Sequence, residues 1–186
     1  MEDKAAGRGA GRAGAWVALL RGVNVGGRHP LPMKALAGFF EEAGCTEVRT
    51  VIQSGNVLFR APAAVARAAP ERVAARINEV FGHRPHMVIR SAAEMKAVQE
   101  GNPFVLEGVD EDLLHVVFLA DKPSPAAAID PGRSLGDRFL VRGREVFLVL
   151  PRGVSGSRLT SDYLDRTLGT TGTWRNWRSV KKLAEE

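Results

Sequence analysis

The hydrophobic and polar positions of the chain predict a mixed order of strands and helices. Trp16 to Leu20 is a short apolar run and reads as the first strand. Arg21-Gly22-Val23-Asn24-Val25-Gly26-Gly27 follows as a glycine-rich loop. A helix is expected from Leu31-Pro32 to about Ala43. Leu36, Phe39 and Phe40 recur there at helical spacing, with proline near the first turn and Gly44 at the stop. Glu47 to Phe59 reads as two strand segments: Val51 and Ile52 precede a polar break, Gln53-Ser54-Gly55-Asn56, and Val57, Leu58 and Phe59 resume the apolar pattern. Such a break marks a turn, a bulge or a site. Pro62 to Pro70 reads as an alanine-rich connector. Glu71 to Phe81 reads as a second helix, with Val73, Ile77, Val80 and Phe81 on one face and Gly82 after it. Met87 to Ile89 is a short strand closing on Arg90. Residues 15–90 therefore run β-α-β-β-α-β. That is the order of a ferredoxin-like split unit, an antiparallel sheet with both helices packed on one face.

The second half repeats the theme less regularly. Ser91 with Glu94 three residues on forms a capping box for a helix reaching about Glu100, and Gly101-Asn102-Pro103-Phe104 breaks it. Leu113 to Leu119 is a strand. Asp121 to Gly136 is a loop rich in Pro, Ala and Gly. Arg138 to Arg142 and Glu145 to Leu150 form a hairpin across Gly143-Arg144. A loop spans Pro151 to Ser157, a helix Thr160 to Leu168 and a polar link Gly169 to Thr173. The last helix begins at Trp174 or Asn176 and runs to Ala184. No repeat is visible in the letters, so a duplicated unit over 91–186, packed with the first as one compact domain, is a structural expectation. The fold class is α+β, two fused ferredoxin-like units. Residues 1–14 read as a flexible tail. Their Gly9-Ala10-Gly11-Arg12-Ala13-Gly14 matches G-x-G-x-x-G, but no strand precedes it and no helix follows, so the dinucleotide fingerprint is discarded.

Composition narrows the function classes. A chain of 186 residues with 45% hydrophobic content can build a core. The net charge of +5 is spread evenly, which permits an anionic partner without the dense basic patch of a dedicated nucleic-acid binder. Cys45 is the one cysteine, so no internal disulfide forms; a buried inert thiol is expected and a cytoplasmic location follows. No apolar run approaches the roughly 20 residues that span a bilayer.

Four phrases in order, Leu19 to Gly27, Thr50 to Val57, Asn102-Pro103-Phe104 and Arg175-Asn176-Trp177, resemble the domain-of-unknown-function family DUF1697 over about residues 15–185. The resemblance implies two fused ferredoxin-like α+β units. It brings no established activity and no catalytic residues. Two positions depart from the family pattern. Val51 stands where tyrosine is frequent, and Trp174 where threonine is expected, so that Thr173 would have to cap the last helix or hold a ligand instead.

The residues able to carry chemistry are few. Arg21, Asn24 and Gly26 combine a cation, a residue tolerant of left-handed geometry and a glycine that lets backbone N–H groups approach an anion. The lysine and Ser/Thr of a P-loop are missing. Gln53, Ser54 and Asn56 offer groups that donate and accept. Ser157 and Arg158 read as an anion contact rather than a nucleophile elbow, because Ser157 stands where the second glycine belongs. Arg175 and Asn176 stand at a helix start, after the hydroxyls of Thr170, Thr171 and Thr173. Each group has a structural alternative: tight turns for the first, a bulge for the second, helix capping for the last. His83-Arg84-Pro85-His86 lacks a third ligand, so no metal is expected, and no motif calls for a cofactor.

The expected function is a binding module for a small anionic ligand, phosphate- or nucleotide-like. Two alternatives stay open. One is a small-molecule enzyme with a polar pocket between the halves, which lacks an obvious general base. The other is a set of polar groups that only fasten the halves together. A nucleic-acid partner is weakened by the 6% aromatic content, since ferredoxin-like sheets read RNA with exposed strand aromatics.

Overall fold

The computed structural model describes residues 12–24, 30–51, 55–124 and 126–186. The first half runs β1 (Gly14–Leu20), α1 (Met33–Glu42), β2 (Thr46–Thr50), β3 (Asn56–Ala61), α2 (Ala63–Phe81) and β4 (Met87–Ser91). Helices α3 (Ala92–Glu100) and α4 (Pro103–Leu106) lead to β5 (Leu114–Leu119). The hairpin β6 (Arg138–Arg142) and β7 (Glu145–Val149) follows, then α5 (Gly153–Gly156), α6 (Ser161–Leu168), β8 (Gly172–Asn176) and α7 (Trp177–Ala184). The strands form two four-stranded antiparallel sheets, ordered β2-β3-β1-β4 and β6-β7-β5-β8.

Alternation along the central strands explains why both read as unbroken apolar runs. Ala18 and Leu20 of β1 face α1 and α2 and pack with Phe40, Ala66, Val73 and Ile77. Val17 and Leu19 face the opposite way, into a core shared by both sheets. In β5, Val116 and Phe118 enter that shared core, while Val117 and Leu119 meet Leu164 and Leu168 of α6. The shared core is filled by Met95 and Val98 of α3 and by Trp177, Val180 and Leu183 of α7, two helices that pack on each other. Strands covered on both faces need apolar residues at every position. The expectation of helices on one face of each sheet is corrected here: α3 and α7 cover the second faces, because each follows the last strand of its sheet directly and folds back between the two.

Two further expectations give way. The stretch Pro62 to Pro70 is no connector: α2 runs through it, and Pro70 sits inside the helix. One missing N–H bond is outweighed by Ala66, Ala69 and Val73, all fully buried against the sheet. The polar link before the last helix is in part a strand. Gly172-Thr173-Trp174-Arg175-Asn176 pairs with β5 in a strand rather than leading into a helix. Thr173 therefore caps nothing. Asn176 is the cap of α7, its Oδ1 accepting the Ser179 N–H at 2.9 Å. The Ser91–Glu94 capping box forms with both halves present. Cys45 is buried and unpaired, and burial pushes its thiol pKa up to about 11.

Candidate functional site

The site grows from the last residue of β8 before the helix cap. Arg175 leaves the second half and enters the end of the first. Its Nε donates to Asn56 Oδ1 at 2.6 Å. Its two terminal nitrogens donate to the carbonyls of Leu20 at 2.9 Å, Gly55 at 3.2 Å and Trp174 at 2.7 Å, and to Thr173 Oγ1 at 2.9 Å. Five donors thus meet five acceptors, none of them a carboxylate. Arg175 is buried to 8% exposure, and burial alone pulls its pKa down to about 10. Asn56, itself fully buried, also donates from Nδ2 to Val51 O at 3.1 Å. Gly55 has φ +73°, and a Cβ there would stand 2.5 Å from Val23 and 2.9 Å from Leu20. Only glycine fits the backbone this close to Leu20 and Val23.

Arg90 does the same in the opposite direction. It ends β4 one residue before the cap of α3, as Arg175 ends β8 one residue before the cap of α7. Its bonds run to Leu119 O at 2.8 Å, Arg144 O at 3.0 Å, Ile89 O at 2.9 Å and Glu145 Oε1 at 2.9 Å. Strand register makes these places equivalent one by one. Leu20 pairs with Met87 and Leu119 with Gly172; Leu20 N–H binds Gly55 O and Leu119 N–H binds Arg144 O, each at 2.8 Å. The two halves are therefore fastened by reciprocal arginines. Asn56 occupies the place of Glu145, and Ser179 the place of Glu94.

Above Arg175 lies a hollow of about 540 Å³ between the halves. Leu20 to Val23, Val154, Leu159 to Ser161, Thr173 to Asn176 and Ser179 line it. Arg21 forms one wall. It binds Asp165 of α6 and Gly172 O, and lies 3.5 Å from the exposed Asp162. Beyond Arg21, His83, His86 and Asp165 border a second hollow of about 360 Å³. The hollow equivalent to the first, about 420 Å³, lies on the Arg90 side and carries the Glu94–Arg144 ion pair in its lining, at 2.5 Å. Among the described residues no group of three or more His, Cys, Asp or Glu side chains could hold a metal ion.

Arg21, Asn56, Arg175 and Asn176 are brought together. The others are not. Asn24 holds its own loop, with Nδ2 donating to Leu31 O and Oδ1 accepting from Leu31 N–H. Ser157 donates to Asp137 at 2.5 Å, in a cluster with Ser134, and Arg158 is exposed beside it. Gly26, Gln53 and Ser54 lie outside the described residues. Arg90, Ser179, Thr160 and Ser161 went unnoticed in the sequence. The signal for Arg90 was present, since Ile89-Arg90-Ser91 and Trp174-Arg175-Asn176 both set an arginine directly before a helix cap.

The family described as "Protein of unknown function (DUF1697)" matches residues 14–147. A conserved bacterial protein from Streptococcus pneumoniae, SP0830, has a similar solved structure, with TM-score 0.66 and 18% identity over 93% of this chain and 98% of that one. At that identity the likeness speaks for the fold alone. No curated protein matches the chain.

Proposed function

We propose that this chain, which belongs to the DUF1697 family, is a binding module for a small anionic ligand held in the 540 Å³ hollow between its halves. One observation carries this reading: the wall of that hollow contains a buried arginine, Arg175, with no carboxylate partner among the described residues. An uncompensated buried charge is costly, and an anion in the adjoining space offsets that cost. The volume suits a ligand of metabolite size. Val154, Leu159 and the half-exposed Trp174 give it an apolar side, and the hydroxyls of Thr160, Ser161 and Ser179 a polar one. Phosphate- and nucleotide-like compounds and simple carboxylates are the classes to try. The described lining carries no histidine, cysteine or carboxylate, so it supports binding over proton transfer. Of the described strand aromatics, Phe59, Phe118 and Phe147 are buried and Trp16, Phe139 and Trp174 half-buried; none is fully exposed, which favours a small ligand over RNA.

A structural reading stands beside this one, favoured by a specific observation. All five N–H groups of Arg175 are spent inside the protein, as a pure fastening would require. Both roles fit one residue, since hydrogen bonds to neutral groups leave its charge unmatched. The β-α-β-β-α-β order with strands β2-β3-β1-β4 supports a ferredoxin-like unit over 15–90. The order β6-β7-β5-β8 supports a second one over 91–186, in which coil replaces the helix between β5 and β6. A cytoplasmic location fits the single unpaired Cys45, and no described helix is long and apolar enough to cross a membrane.

Calorimetric titration of the full chain with inorganic phosphate, AMP and benzoate at low salt tests the function. Saturable one-site binding of at least one is expected. Heats indistinguishable from dilution for all three would overturn the proposal.

A further inference from the structure

The two ends of the seam differ in charge, and the difference specifies the ligand. On the Arg90 side, two cations, Arg90 and Arg144, meet two carboxylates, Glu145 and Glu94. The Glu94 carboxylate sits in its hollow with one oxygen accepting the Ser91 N–H at 2.7 Å and the Ser91 hydroxyl at 3.1 Å, and the other facing Arg144. On the Arg175 side, the places of those carboxylates hold Asn56 and Ser179, and the place of Arg144 holds Gly55. Three charges are gone, one of them a cation. Among the described residues, Arg175 is left with one unmatched positive charge. Arg21 does not alter that sum, because Asp165 neutralises it; Asp162, its carboxylate 87% exposed, adds a water-screened contact to Arg21. Neither aspartate is an ion-pair partner of Arg175.

We infer that the hollow beside Arg175 takes a singly charged ligand whose carboxylate lies where Glu94 lies on the other side, against the Asn176 N–H and the Ser179 hydroxyl, with an apolar body along Val154, Leu159 and Trp174. This rests on the binding function proposed above and narrows it. The helix start alone does not carry the inference. It stands on the buried, unmatched arginine and on the protein's own carboxylate occupying the equivalent place in the other half. Doubly charged phosphate monoesters overcompensate a single buried charge and are disfavoured.

The test is built on Ser179→Glu, which supplies the missing carboxylate from within, completing an Asn-x-x-Glu counterpart of the Ser91–Glu94 box. Full-length protein is titrated with benzoate and with phenyl phosphate. Wild type is expected to bind benzoate at one site, at least fivefold more tightly than phenyl phosphate. Ser179→Glu is expected to weaken benzoate at least tenfold and to raise Tm, while Glu94→Gln leaves benzoate affinity unchanged. Tighter binding of phenyl phosphate, or an unchanged benzoate affinity in Ser179→Glu, overturns the carboxylate inference and leaves anion binding standing. No binding of benzoate, phosphate or AMP by wild type overturns the binding function itself, and this inference with it. If Ser179→Glu fails to fold, the wild-type Asn176 amide decides by NMR: a saturable shift with benzoate supports the inference, and no shift there while benzoate binds overturns it.

Discussion

Arg90 and Arg175 occupy equivalent places, reach across the same seam in opposite directions and bind the same kinds of backbone carbonyl. Arg175 has one bond more, to the Thr173 hydroxyl, and the decisive difference is in the partner of Nε. Arg90 meets Glu145, a carboxylate, and Arg175 meets Asn56, an amide. Burial lowers the pKa of both; for Arg90 the field of Glu145 works against that, and for Arg175 nothing does. The lesson is that hydrogen-bond satisfaction and charge satisfaction are separate accounts. A fully bonded arginine can still leave its surroundings positive, and the end of the seam where this happens adjoins the larger hollow.

Removing partners on each side breaks the comparison in graded steps. Glu145→Ala strands a fully buried guanidinium and is expected to cost about 3–5 kcal/mol in urea unfolding. Asn56→Ala removes a neutral acceptor and the tie to Val51 O, and is expected to cost less, about 1–3 kcal/mol. Glu145→Gln makes the two ends alike in charge, and its cost should fall between zero and that of Glu145→Ala. Equal losses for Glu145→Ala and Asn56→Ala would show that the carboxylate adds nothing to the amide.

Smaller effects sharpen the contrast. Glu94→Gln weakens a capping box and a half-exposed ion pair, worth about 1 kcal/mol together. Burial pushes the Glu94 carboxyl up, but the Ser91 N–H and hydroxyl and the charges of Arg144 and Arg90 together hold it below its usual value. Its contribution is therefore present above the unfolded-state pKa and lost as pH falls through the folded one. The difference between Glu94→Gln and wild type should shrink in acid; a difference that grows there would refute the assignment. Cys45 lies away from the seam and serves as a control. With its pKa raised to about 11, alkylation by iodoacetamide at pH 8 should be negligible in native protein and complete after unfolding. Stability should fall as pH rises from the ordinary thiol value toward the raised one, because only the unfolded state then releases the proton.

Much of the fold was legible because local rules act alone there. Periodicity marked β1, α1, β5 and the hairpin, and Ser91 with Glu94 announced the start of α3. The errors came where tertiary packing overrode local chemistry. Pro70 reads as a break, yet buried alanines on either side carry the helix through it. Gly172-Thr173-Trp174-Arg175 reads as a polar lead into a helix, because an arginine buried against the carbonyls of Leu20 and Gly55, 155 and 120 residues away, leaves no local trace. The site was half legible for the same reason. The sequence marks Arg21, Asn56, Arg175 and Asn176 as unusual, but their convergence depends on two sheets meeting end to end. Ser157 and Arg158 look equally promising as letters and bind Asp137 and Ser134 instead.

The most direct test of the account compares two backbone amides in one spectrum. Wild-type protein is titrated with benzoate while the ¹⁵N–¹H signals of Asn176 and Ser91 are followed. The account requires a saturable shift at Asn176 and none at Ser91, whose N–H already holds the Glu94 carboxylate. Equal shifts at both amides, or none at Asn176 at concentrations where benzoate binds, would contradict it.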